Sequence, residues 1–168
     1  MNISMYQASI PVFLRMLGNL RTLLEKGTEY ADARKFDSAV LVNARLFPDM
    51  LPLVKQIQIA SDTAKGCAAR LADVENPKYA DNENSFPELI ERIDKTIAFL
   101  KEFKPAQIDG SEERTVTLPL RSGEMKFTGI QYLLNFAQPN FYFHVTTAYN
   151  LLRHNGVEIG KMDFLGRG

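Results

Sequence analysis

The chain has 168 residues, of which 20 are acidic and 20 basic, so its formal net charge is zero; it carries two histidines and one cysteine. The neutral charge gives no electrostatic basis for binding nucleic acid or an anionic membrane, and two histidines exclude a three-histidine metal site within one chain. A single cysteine excludes an intrachain disulfide, and without a secretory segment or a bilayer-spanning apolar run we expect one cytoplasmic domain over residues 1–168.

A long amphipathic helix is predicted first. Apolar residues recur every three or four positions from about Ser4 to Glu25, which places them on one face. Lys26-Gly27 is a typical helix end. Pro11 interrupts the pattern and predicts either a kink or a later start, at Ser9.

The middle of the chain predicts two further long helices. A short helix is expected within residues 32–45, and the second long helix begins near Pro48, because proline suits the first turn. Residues 72–84 are polar and predict a loop. Ser85 and Glu88 then form a capping-box pattern, which opens a third helix that ends near Phe103.

In the last third of the chain, the spacing of the apolar residues changes. Apolar residues alternate with polar ones over residues 115–127, on either side of a turn at Ser122-Gly123, and this predicts a β-hairpin. Thr128 and Gln131 form a second capping box, which opens a fourth long helix. Pro139 should kink or briefly break that helix. Four long helices with a hairpin before the last one predict an all-α four-helix bundle.

A polar stripe lies within the apolar fourth helix. Asn140, His144 and Thr147 are spaced i, i+4 and i+7, which places them on one face. Gln58 and Asp62 stack in the same way on the second long helix, and we expect one of them to meet His144. The stripe is consistent with a hydrogen-bonded core histidine and also with a ligand-binding or catalytic histidine.

Aromatic residues cover much of the same helix. Phe141, Tyr142 and Phe143 span about 200° of its circumference, which indicates either core packing on two sides or a dimer surface that includes Phe143. His154 is expected to complement the negative end of the helix dipole. Cys67 lies among small residues and is expected in the core.

Two segments resemble a bacterial family of unknown function in the DinB/YfiT-like superfamily. They are PNFYFHVTTAYNLLRHNGVEIGKMDFLG, at residues 139–166, and RLFPDMLPLVKQIQIASDTAKGCAARL, at residues 45–71. The resemblance covers the whole chain. It implies a four-helix bundle with up-down-down-up connectivity, usually assembled as a dimer.

The resemblance also implies a position for a metal site. Better-known relatives hold zinc or nickel with one histidine from the second helix and an H-x-x-x-H pair from the fourth, followed by an arginine, and some are thiol-dependent transferases. Here His144 matches the later histidine of the pair and Arg153 matches the arginine. Asn140 replaces the earlier histidine, and Gln58 takes the place of the second-helix ligand.

The replaced ligands predict a degenerate site without a cofactor, because amides are weak ligands for zinc and nickel. Our first hypothesis is a dimeric bundle with a polar pocket between the second and fourth long helices, which binds a small molecule or acts as a stable interaction module. The alternative is a metal-dependent or thiol-dependent transferase or hydrolase. The expected ligand-binding residues are Gln58, Asn140, Thr147 and Arg153, and the expected catalytic residues, or zinc or nickel ligands if a metal is held, are His144 and Asp62.

Overall fold

The structure, a computed structural model, describes residues 3–120 and 123–166 and is mostly helical, with one antiparallel β-hairpin. Its long helices are α1 (Met5–Arg34), α3 (Leu53–Ala72), α4 (Phe86–Lys101) and α7 (Gln138–His154). Its short helices are α2 (Ala39–Val42), α5 (Pro105–Ile108), α6 (Gly129–Gln131) and α8 (Lys161–Leu165). A π-helical segment, Tyr132–Ala137, joins α6 to α7. Among the described residues, no helix has both the length and the apolar character needed to cross a bilayer.

Helix α1 extends beyond its predicted end. It begins after Ser4, which caps it, and it continues through Pro11, so the alternative later start is wrong. It also passes through Gly27, where the sequence predicts a stop. A Cβ at Gly27 would lie 2.9 Å from the ring of Phe86, so this glycine serves close packing. The helix ends instead at Lys35, which adopts a left-handed conformation with φ of 58°.

The two middle helices follow their local signals to different degrees. Helix α3 begins at Leu53, later than predicted, because Pro52 disfavours a helical conformation in the residue before it. The cap of α4 is confirmed: the Ser85 hydroxyl accepts from the Glu88 amide. The Glu88 carboxylate reaches back to the amide of Asn84, 2.8 Å away.

The hairpin is formed as the sequence indicates, whereas the predicted break of the last long helix at Pro139 is wrong. Strands β1 (Thr115–Leu120) and β2 (Gly123–Thr128) pair antiparallel; Ser122 of the predicted turn lies outside the described residues. Thr128 caps α6 through the amide of Gln131. Helix α7 continues through Pro139 without a break. Because proline has no N–H to donate, the winding changes one turn earlier, in the π-helical segment.

Contacts along the long helices give their relative directions. Tyr6 near the start of α1 contacts Asp109, beyond the end of α4, whereas Arg21 further along α1 contacts Asp94 within α4. Helices α1 and α4 therefore run in opposite directions. Ala8 of α1 contacts Gln138 at the start of α7, and Gly27 lies near Leu152 towards its end, so these two helices run in the same direction.

Helix α3 is enclosed on several sides. Helix α7 packs against one face of α3 and α4 against another. The segment 73–85 then returns along α3: Lys65 binds Asn76, and Gln58 binds Glu83 nearer the start of the helix. Gln56, Gln58 and Lys65 of α3 point in different directions and are nevertheless all buried.

Candidate functional site

The polar stripe of α7 faces α3. His144 is only 8% exposed, as the stripe predicts, and its Nδ1 lies 2.7 Å from Oε1 of Gln56. Asn140 donates from Nδ2 to the hydroxyl of Thr63 at 2.8 Å. Gln56 and Thr63 are seven residues apart and so lie on one face of α3. We call the two pairs together the α3–α7 seam.

The amide of Gln56 fixes the proton on His144. Its Nε2 donates to the carbonyl of Leu51 at 2.9 Å, so the other side of the amide, Oε1, must face the imidazole. An oxygen accepts, and therefore Nδ1 of His144 carries the hydrogen. Burial lowers the pKa of His144, which keeps the ring neutral at pH 7 and leaves a lone pair on Nε2.

The expected contact between His144 and Gln58 or Asp62 is wrong. Gln58 is two residues beyond Gln56, which rotates it by about 200° on the helix, away from α7. Its Nε2 donates to Glu83 at 2.8 Å, and Asp62 lies 2.9 Å from a guanidinium nitrogen of Arg92. The proposed His144–Asp62 pair is therefore not formed.

The remaining residues singled out from the sequence lie outside the two pairs of the seam. The hydroxyl of Thr147 donates to the Phe143 carbonyl of its own helix at 2.7 Å. Arg153 and His154 are exposed in the last turn of α7, where positive charge complements the helix dipole. Cys67 is fully buried, and burial raises the pKa of its thiol, so it remains a protonated core residue.

Asp62 belongs instead to a second polar group, the Arg92 cluster, which we define as Arg92 with Asp62, Asp81 and Glu83; Gln58 binds Glu83 of this cluster. Arg92 is 3% exposed. Its terminal nitrogens lie 2.9 Å from Asp62, 3.2 Å from Asp81 and 2.8 Å from Glu83. Burial opposes the charge, but the three carboxylates outweigh it and raise the pKa of Arg92. The cluster ties segment 73–85 to α3 and α4.

A cavity of about 320 Å³ opens beside this cluster. Tyr79, which forms one wall, has three cations over its ring: Lys65, Arg92 and Lys95 lie 4.6, 5.4 and 4.3 Å from the ring centroid. The walls combine acidic and basic side chains with this aromatic ring. The residues that line the cavity include Tyr79, Glu83, Glu88, Glu91, Arg92 and Lys95.

The residues present do not fit a zinc or nickel ion. His144 supplies one imidazole, but the amides of Asn140 and Gln58 bind other protein groups, and Asp62 neutralises Arg92. Within residues 3–120 and 123–166, no group of three or more His, Cys, Asp or Glu side chains could hold a metal ion. Neutral amides are poor ligands for these metals.

Sequence reasoning missed Gln56, Thr63 and Arg92. Gln56 and Thr63 are spaced i, i+7 on one face of α3, and an antiparallel match of this face with Asn140 and His144 gives the observed pairs. Arg92 occupies a core position of α4, next to Ile93. A cation on an apolar helix face signals buried carboxylate partners.

Comparison with known proteins places this geometry in context. A family model described as "Domain of unknown function (DUF1993)" matches residues 5–165. Among solved structures, the chain is similar to a DinB family member protein from Shewanella denitrificans, with 39% identity and a TM-score of 0.91 over 97% of this chain and 92% of that chain. No curated protein matches the chain.

His144→Ala should destabilise the protein, because it leaves Oε1 of Gln56 buried without a donor. We expect a loss of about 1–3 kcal/mol in the free energy of unfolding at pH 7.5. His154→Ala is the control and should cost less than about 0.5 kcal/mol. Equal, small losses of the two variants in chemical denaturation would contradict the buried pair.

The stability of the wild-type protein should fall as the pH drops through about 6.5, because the lowered pKa of His144 in the folded state lets the unfolded chain take up a proton first. The fall should be less steep in His144→Ala.

Proposed function

Because the chain belongs to the DUF1993 family of unknown function, we propose that it is a homodimeric, DinB-like binding protein that works without a catalytic metal. It binds a small molecule beside the polar groups that join α3 to α4 and segment 73–85, and it presents an apolar face of α7 to a second copy.

The fold proposal is a single DinB/YfiT-like domain over residues 1–168, with α1, α3, α4 and α7 as an up-down-down-up bundle. It is supported by the order of contacts, since α1 runs parallel to α7 and opposite to α4, and α3 runs opposite to α7. The segment 73–85 that returns along α3 supports a parallel α3 and α4. A cytoplasmic location stays a prediction.

The observation that carries the metal-free proposal is that the two residues at the other implied ligand positions are bonded to protein groups. A metal site needs several side chains whose lone pairs point to one place. Here Asn140 and Gln58, which stand at the ligand positions that the resemblance implies, donate to Thr63 and Glu83. The polar residues of the α3–α7 seam form hydrogen bonds with one another, and a binding role does not require a metal ion there.

The dimer proposal rests on an exposed apolar area at the seam. Phe143 is 57% exposed, and its ring lies edge to face with His144 at 5.2 Å. Leu51, whose carbonyl accepts from Gln56, is a second exposed apolar residue at the same end of the seam. Two exposed large apolar side chains beside the same hydrogen-bonded pair favour a protein contact.

One observation favours a second candidate, a hydrolase or transferase that uses His144 as a general base. The Gln56 bond leaves Nε2 of His144 unprotonated, which is the state a base needs. Asp62 takes no part in it, because it binds Arg92. This candidate predicts that His144→Gln abolishes an activity while retaining the fold.

The metal-free proposal is tested on protein purified without a histidine tag. Elemental analysis should find less than about 0.1 zinc or nickel ion per chain, and added zinc or nickel should leave the melting temperature unchanged, because a ligand that binds only the folded state would raise it. A stoichiometric metal that survives dialysis, and whose removal lowers the melting temperature, would overturn the proposal.

Phe143→Glu should dissociate the dimer, because it places a charge in an apolar contact. Size-exclusion chromatography with light scattering should give twice the chain mass for wild type and one chain mass for the variant. Met162→Glu, at a residue of equal 57% exposure on α8, is the matched control and should stay dimeric. A monomeric wild type, or a variant of unchanged mass, would reject this surface.

A further inference from the structure

Arg92, which lines the cavity beside the Arg92 cluster, has a donor that the protein does not use. Arg92 lines this cavity and is 3% exposed. Its terminal nitrogens are bonded to Asp62, Glu83 and the carbonyl of Ala80. Within the described part of the chain, its Nε has no hydrogen-bond partner. A buried N–H without an acceptor is costly, so an acceptor atom from outside the chain would stabilise it.

Two charged residues at the mouth of the cavity are also unpaired. Lys95 and Glu91 lie one helical turn apart on α4, both exposed, and neither forms an ion pair with a described residue. The ammonium group of Lys95 lies over the ring of Tyr79 instead, 4.3 Å from its centroid. Glu88, by contrast, is used as the cap of α4.

These groups present opposite charges to the same space. The Nε of Arg92 and the Nζ of Lys95 are donors for an anionic or carbonyl oxygen, and Glu91 is an acceptor for a cationic group. We propose that this cavity binds a small zwitterion of the α-amino-acid type, with its carboxylate toward Arg92 and Lys95 and its ammonium group toward Glu91. The inference rests on the proposed binding function, and it names the place and the ligand class.

Ligands of a single charge fit less well. A simple anion would face Glu83, Glu88 and Glu91, three carboxylates on the cavity walls. A simple cation would face Lys95 and would leave the Nε of Arg92 without an acceptor. A cavity of about 320 Å³ is large enough for an amino acid with a medium-sized side chain.

The test is isothermal titration calorimetry on the full chain. The zwitterions are glycine, L-leucine and L-phenylalanine, and the matched half-ligands are acetate and methylammonium. We expect saturable binding of at least one zwitterion at one site per chain, and at least about tenfold weaker binding of both half-ligands. Acetate or methylammonium binding as tightly as the zwitterions would overturn the proposal, and so would the absence of saturable binding for all three amino acids.

Variants then locate the site. Lys95→Gln and Glu91→Gln change exposed residues and should preserve folding while weakening binding at least about tenfold each. Lys126→Gln and Glu124→Gln make the same charge changes on the exposed strand β2 and should bind like wild type. Unchanged affinity in Lys95→Gln and Glu91→Gln would overturn the site. The metal content and the dimer mass are measured separately, so a failed zwitterion site is distinguishable from a failed metal-free or dimeric proposal.

Discussion

The hydrogen bond between His144 and Gln56 is the interaction on which the arrangement of the α3–α7 seam depends. It buries an imidazole and an amide at 2.7 Å, and the Leu51 carbonyl fixes which side of the amide faces the ring. The bond therefore sets the rotation of α3 against α7 and the proton position on the ring together. Nε2 of His144 keeps its lone pair, but the amides of Asn140 and Gln58 are bonded to other protein groups, so the implied ligand positions add no second ligand beside it.

The enclosure of α3 separates its polar residues into two chemical environments. Gln56 and Thr63 meet the uncharged residues of α7, whereas Gln58 and Asp62 meet the charged groups of segment 73–85 and α4. The first set is paired internally, apart from the lone pair on Nε2 of His144. The second contains a buried guanidinium with an unused donor beside a cavity, so unsatisfied binding capacity lies on the α4 side of α3.

Local signals predicted much of the fold, because caps and alternation act within a few residues. The Ser85 and Thr128 caps, the hairpin and the burial of His144 follow from such patterns. The passage of α1 through Gly27 was not predictable locally, since it depends on the ring of Phe86 from another helix. The partner of His144 was missed for a similar reason: two residues of difference between Gln56 and Gln58 rotate a side chain by about 200°, and only packing decides which one faces α7.

The central claim is that the imidazole of His144 is neutral, protonated on Nδ1 and bonded to protein. Its most direct test is a long-range ¹H–¹⁵N correlation spectrum of the imidazole nitrogens at pH 7.5, with His144 assigned from the His144→Gln variant. The account predicts a protonated Nδ1 and an unprotonated Nε2 that keep their chemical shifts when zinc or nickel is added. A ring protonated on Nε2, or an Nε2 signal that shifts on stoichiometric addition of either metal, would contradict it.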